Sequence, residues 1–237
     1  MREDKRLGWQ TARVVQELYE QGVKRAVLFI RHSARHYSGD PQLEGFMGLT
    51  QEGKEAALAF GEMIKGPLPV SSCSSYIGRC IETAYLVRQG SGGKPCGFHE
   101  LEEKLSPFYV KDFKRIIEVL LQYDLFGFIR TWCDGGFSSE LIEPAQKAAQ
   151  AMVGYAHGLL KDGTQGLTVG VTHDWNIFAL KEFAMGLPHE KWGKVEYLDG
   201  VVFFRREGAL WGASYQGGAL MVSEGGMPSK EETVVHV

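Results

Sequence analysis

The sequence predicts an α/β three-layer sandwich, a mainly parallel central sheet with helices on both faces, and three observations lead to it. "RAVLFI" at 25–30 is the short continuous apolar run of a strand buried on both faces, and "LTVGVT" at 167–172 reads as another buried strand. Stretches of helical periodicity separate the strand-like runs, and strand–helix–strand alternation implies parallel pairing through right-handed crossovers. A chain of 237 residues, 44% hydrophobic and 23% charged, without internal repeats, is long enough for one large domain carrying an insertion.

In chain order, residues 8–22, "GWQTARVVQELYEQG", place Val14, Val15 and Leu18 at helical spacing and end on a glycine, so a helix precedes the first strand. "LTQEGKEAALAFGEMI", 49–64, opens on Thr50 as N-cap, three residues ahead of Gly53, and predicts a second helix. "PVSSCSS", 69–75, reads as a strand, and "IGRCIETAYLVRQG" as the helix leaving it, closed by Gly90. From about 97 to 137 no strand pattern is visible. The helical stretch "KDFKRIIEVLLQYDLFGFI" and the turn-like "CDGGFSS" there predict a small helical insertion, with Phe98, Phe108, Tyr109, Phe113 and Tyr123 as its packing. "SELIEPAQKAAQAMVGYAHGLLKDG", 139–163, reads as one long helix. "GLTVGVTHDWN", 166–176, is a buried strand running into polar residues, with "DWNIFALKEFAMG" as the helix beyond it. "YLDGVVFFRREGALWGASY", 197–215, predicts a terminal hairpin, and the last dozen residues a loosely held tail.

A formal net charge of −3 gives no general attraction to nucleic acid or to an anionic membrane, so neither is an expected partner. "MREDKR" at the start is followed by no apolar stretch of signal-peptide or membrane-span length, and the cytoplasm is the expected compartment. Cys73, Cys80, Cys96 and Cys133 form no C-x-x-C pair and predict buried thiols. His99, His157, His189 and His236 fall at no metal-ligand spacing, and neither a metal nor another cofactor is expected.

Three predicted strands end in chemistry. In open α/β sheets the site lies outside the carboxyl ends of the strands, so residues far apart in sequence converge there. Strand 25–30 delivers Arg31, His32 and Arg35, the helix after strand 69–75 delivers Arg79, and strand 167–172 delivers His173 and Asp174. Three guanidinium groups in one crevice require an anion. Their forked donors and permanent charge match a tetrahedral oxyanion, so a small phosphorylated molecule is the expected guest. An imidazole, partly neutral near pH 7, can attack phosphorus, and a carboxyl group beside it can protonate the departing alcohol.

Those residues resemble the histidine phosphatase superfamily, in its acid phosphatase-like branch with the phosphoglycerate mutase-like fold. "RHSARH" is similar to the R-H-G-x-R-x-P signature, "LTQEG" to L-T-x-x-G, "SSYIGRCIETA" to S-S-x-x-x-R-x-x-x-T-A, and "THDW" to the H-D pair, all four in the family's order. The resemblance implies a phosphoric monoester hydrolase in which His32 becomes phosphohistidine, Arg31, Arg35, Arg79 and His173 bind the phosphoryl oxygens, and Asp174 donates the proton. It implies metal-independent hydrolysis, with a phosphomutase or other phosphotransferase, or a catalytically silent phosphate-binding module, as alternatives. Two positions depart from the pattern: Ser33 stands where the family has Gly, and His36 where this branch has Pro. The mutase-containing branch places its acid on a Glu after the Arg79 helix, which makes Glu103 and Glu102 the alternative acids. Specificity falls to the insertion and to the loop at 36–48, "HYSGDPQLEGFMG".

Overall fold

Strands form where branched and aromatic side chains run together, and their order decides what meets at their ends. The computed structural model describes residues 6–93, 99–161 and 165–223. Its sheet comprises β1 (Arg25–Arg31), β2 (Val70–Ser74), β3 (His99–Leu101), β4 (Gly166–Thr172), β5 (Gly200–Arg206), β6 (Ala209–Ser214) and β7 (Gly218–Met221), in the spatial order β3-β2-β4-β1-β5-β6-β7. Pairing is parallel from β3 through β2 and β4 to β1, and antiparallel from β1 through β5 and β6 to β7.

The helices are α1 (Trp9–Glu20), α2 (Gln51–Met63), α3 (Gly78–Gly90), α4 (Phe113–Leu120), α5 (Leu125–Cys133), α6 (Ala145–Lys161), α7 (Asp174–Met185) and the short α8 (His189–Trp192). Because side chains alternate along a strand, β1 feeds two cores. Ala26, Leu28 and Ile30 pack with Val15 of α1, Phe60 of α2 and Val87 of α3, whereas Val27 and Phe29 pack with Phe128 of α5, Met152 of α6 and Leu180 of α7. Each large side chain buried this way is worth about 1.5–3 kcal/mol, so both helical layers are held by the same few strands. Among the described residues no helix is long and apolar enough to cross a membrane.

Several elements differ from their sequence-based expectation. Within 97–137 there is a strand, β3, at the sheet edge beside β2; three residues are too few to show a two-residue alternation. The helical stretch in that segment is two helices, because Asp112 and Asp124 each accept a backbone N–H, from Arg115 at 3.0 Å and Gly127 at 2.7 Å, and so cap α4 and α5 separately. The long helix predicted from 139 starts only at Ala145. Residues before Pro144 pair instead with the insertion, where Val110 bridges Ile142 and Leu141 O accepts the Lys111 N–H. α3 does end at Gly90, as expected, but without a left-handed residue there; a Cβ on Gly90 would stand 2.0 Å from Leu58 O, so this glycine also permits close helix approach. The terminal hairpin gains a third strand, β7. The predicted tail, Cys96, Phe98 and His236 lie outside the described residues.

Candidate active site

Register brings the site together. Arg31 pairs with Thr172 and Ser74 with Val171, so His32 and His173 leave adjacent parallel strands at one level, and Ser75 leaves the third strand one residue short of it. Backbone bonds lock the exits: His32 N–H donates to Thr172 O at 2.9 Å and Ser75 N–H to Val171 O at 3.0 Å. From Ser75 the chain turns into α3, whose second residue is Arg79. Thr83, one turn further on, accepts the Ser33 N–H at 3.1 Å and donates to Arg79 O at 2.7 Å, tying α3 to the end of β1. Ser33 fits without a left-handed backbone, and its hydroxyl donates to Gly53 O at 2.7 Å.

His32 is buried with its ring held in one tautomer. Its Nδ1 lies 2.8 Å from Ser33 O, which can only accept, and its Nε2 lies 3.1 Å from Arg79 Nε, which can only donate. The proton therefore sits on Nδ1 and the lone pair on Nε2. Burial first, then the positive surroundings of His173 and Arg79, push the His32 pKa well below the usual imidazole range. His173, 5.7 Å away ring to ring, is pushed down to about 3 by burial and by the three arginines, and its Nε2 lies 2.9 Å from Ser75 Oγ. Beside it, the Cys80 thiol is pushed up to about 12 by burial, which leaves it protonated and a poor nucleophile.

A cavity of about 400 Å³ opens over these rings, lined by Arg31, His32, Arg35, Arg79, His173 and Asp174. Asp174, first residue of α7, pairs with Arg31 at 3.1 Å, and Arg31 also donates to Val195 O at 2.7 Å. All six residues that the sequence singled out thus line one cavity. Glu102 and Glu103 do not line it. Glu102 caps a short turn through the Lys104 N–H at 2.9 Å and pairs with the Lys104 ammonium at 3.2 Å, and Glu103 is solvent-exposed. His36 is exposed, and its carbonyl accepts from Arg35 at 2.9 Å.

Sequence reasoning missed the outer lining. Tyr197 lies under the Arg31 guanidinium, 4.2 Å from ring centre to carbon, and Tyr37 under Arg35 at 4.0 Å; their hydroxyls meet at 2.7 Å. Glu44 of the loop at 36–48 pairs with Arg35, and its carbonyl accepts from Arg79 at 3.1 Å. Leu125, Lys194 and Glu196 complete the wall. No motif spacing marks these residues, because they arrive on loops whose course only the fold sets. Away from the cavity, Glu182, His189 and Glu190 lie close enough to hold a metal ion, but Arg130 already pairs with both carboxylates, at 3.1 and 3.3 Å.

The cavity belongs to a known architecture. No family model and no curated protein matches the chain. Among solved structures it is similar to YhfR of Bacillus stearothermophilus, with 16% identity over 78% of this chain and 94% of that one and a TM-score of 0.58. It is also similar to a phosphoglycerate mutase from Bacillus anthracis, with 20% identity over 82% and 94% of the two chains and a TM-score of 0.56. A mutant phosphoserine phosphatase from Entamoeba histolytica, in complex with phosphoserine, shares 15% identity over 88% and 99%, with a TM-score of 0.52. The chain has the fold that these proteins share, a phosphoglycerate mutase-like α/β fold.

Proposed function

We propose that this protein is a histidine phosphatase that hydrolyses a small phosphomonoester through a phosphohistidine on His32. The observation that carries the reading is the buried His32, whose Nδ1 lies against Ser33 O and whose Nε2 lies against the Arg79 donor, in the lining of a cavity with three guanidinium groups. Arg31, Arg35 and Arg79 take the phosphoryl oxygens as the Arg79 donor leaves His32 for the incoming anion. The Nε2 lone pair then forms a bond to phosphorus as the phosphorus–oxygen bond to the alcohol breaks, and the carboxyl of Asp174 gives its proton to the departing oxygen. His173 donates a hydrogen bond to the phosphoryl group. Water next attacks the phosphorus–nitrogen bond and returns a proton to Asp174, which releases phosphate and restores His32. Phosphoryl transfer asks mainly for positioning and charge stabilisation, and these side chains supply both without assigning a step to a metal. The fold supports the reading, since a mutase and a phosphatase, the latter with phosphoserine, share it.

Labelled substrate with an alkaline quench tests it. Acid-labile phosphate on the protein, absent from His32→Ala, is the expected result, together with free phosphate as product and activity that survives a chelator. Phosphate carried on a serine, or transferred to an added alcohol in preference to water, overturns the hydrolytic route. Anion binding without any phosphate release leaves only a binding module.

A further inference from the structure

We infer that the substrate carries a single phosphate on an aromatic or apolar alcohol with no second anionic group. This rests on the hydrolytic reading above and comes from how charge and apolar surface are distributed around the cavity. Four cations line it, Arg31, Arg35, Arg79 and Lys194. Three of them already face a carboxylate: Arg31 meets Asp174 at 3.1 Å, Arg35 meets Glu44, and Lys194 meets Glu196 at 3.1 Å. Among the described residues Arg79 is the one cation of this set in ion-pair contact with no carboxylate, and it lies on His32, where the phosphate itself belongs. With Asp174 protonated for its role as proton donor, Arg31 and Arg79 are the two unmatched charges of the set, and a phosphate dianion cancels both. A second phosphate or a carboxylate on the substrate would then meet Glu196 in the lining and Glu44 at Arg35, with no further cation among the described lining residues to receive it. The Lys194–Glu196 pair is exposed and adds little stability, but among the described residues it places an acid beside the one lining lysine or arginine outside the phosphate-binding arginines.

What the outer wall offers instead is apolar surface. The rings of Tyr37 and Tyr197 and the exposed side chain of Leu125 lie there, and the two tyrosine hydroxyls satisfy each other. Each ring already bears an arginine at its face, so the pair forms a rigid aromatic edge next to the phosphate position. At the ~30 Å³ that one water takes in the liquid, the cavity holds on the order of a dozen non-hydrogen atoms, enough for a phosphate and one ring. Aromatic edges and an aliphatic side chain beside a charged head site favour an alcohol that desolvates cheaply.

The test compares benzyl phosphate, ethyl phosphate and 3-phosphoglycerate, whose leaving groups are all ordinary alcohols of similar intrinsic reactivity. The expected order of kcat/KM is benzyl above ethyl by about tenfold or more, the scale on which apolar pockets discriminate, with 3-phosphoglycerate lowest. Leu125→Ser is expected to shrink the benzyl-to-ethyl ratio, and Glu196→Gln, by releasing Lys194, to raise 3-phosphoglycerate relative to benzyl phosphate. Phosphate release with 3-phosphoglycerate equal to or above benzyl phosphate, or a benzyl-to-ethyl ratio that Leu125→Ser leaves unchanged, overturns this inference while sparing the hydrolytic reading. No phosphate from any of the three esters overturns the hydrolytic reading and the inference with it.

Discussion

Asp174 occupies a position where two demands meet. Its carboxylate holds Arg31 at 3.1 Å and accepts the Trp175 N–H at 3.0 Å, yet the proposed chemistry needs it to hand a proton to the leaving oxygen. The roles are compatible in sequence: a phosphate arriving on Arg31 takes over the guanidinium and leaves the carboxyl beside the ester. Asp174→Asn should lower kcat for an alkyl phosphate by about 10²–10⁴-fold, the usual worth of a general acid. With 4-nitrophenyl phosphate, whose leaving group needs no proton, the loss should be far smaller, and steady-state kinetics on both esters reads the difference. Glu102→Gln and Glu103→Gln should leave both rates near wild type, since neither side chain lines the cavity; a large loss from either would move the acid there. At this scale the sequence was informative about the reacting groups, because their types are set by chemistry. It was silent about Glu44, Tyr37 and Tyr197, whose contribution is a matter of where a loop passes.

One helix pair sets the height of Arg79. α3 carries it and is pressed onto α2 at Gly61 and Gly90, where a Cβ would stand 2.1 Å from Val87 O and 2.0 Å from Leu58 O. Replacing a helical Gly by Ala ordinarily gains about 1 kcal/mol from propensity, but here the added methyl meets backbone that cannot rotate away. Gly61→Ala is therefore expected to destabilise by about 1–3 kcal/mol, as overpacking does, read as a lower urea midpoint. Because α3 must move, KM should rise as well; a stabilised Gly61→Ala with unchanged KM would show that the helices do not hold Arg79 in place. The second helix was legible from Thr50, whose hydroxyl accepts the Gly53 N–H at 3.0 Å, because capping is a local matter. The insertion was less so. Asp124 starts a new helix in the middle of an unbroken helical pattern, and a periodicity of 3.6 does not reveal a stop that a single cap creates.

The whole molecule stores the two site histidines as neutral groups, and that couples stability to pH. Both have folded pKa values below the ordinary 6.5, His173 at about 3, because burial first and then the neighbouring positive charge, Arg79 and Arg31 for both and Arg35 for His173 as well, oppose their protonation. The unfolded chain therefore binds more protons than the folded one below pH 6.5, and stability falls as pH drops through that value toward the folded pKa values. Both histidines contribute to that loss, so stability should fall as pH drops from 7.5 to 5.5. Chemical denaturation across that range measures it, and His173→Gln should remove about half of the slope. A flat profile would mean that the histidines are not held neutral. The same depression predicts that kcat/KM shows no fall assignable to His32 at pH 6.5, once the second ionisation of the substrate phosphate, near 6, is allowed for.

The sequence by itself determined the alternation of strands and helices, the two-faced burial of β1 and β4, and the chemical identity of the groups at their ends. Each of these follows from local patterning or from side-chain chemistry within a few residues. The tertiary structure alone decided that β4 lies between β1 and β2, which sets His32 and His173 side by side with Ser75 one residue short of their level. It also decided that Asp174 and not Glu102 or Glu103 borders the cavity, and that carboxylates and tyrosines form its outer wall. Strand order and loop course depend on contacts between residues more than a hundred positions apart, such as Tyr37 with Tyr197, and no local pattern encodes those.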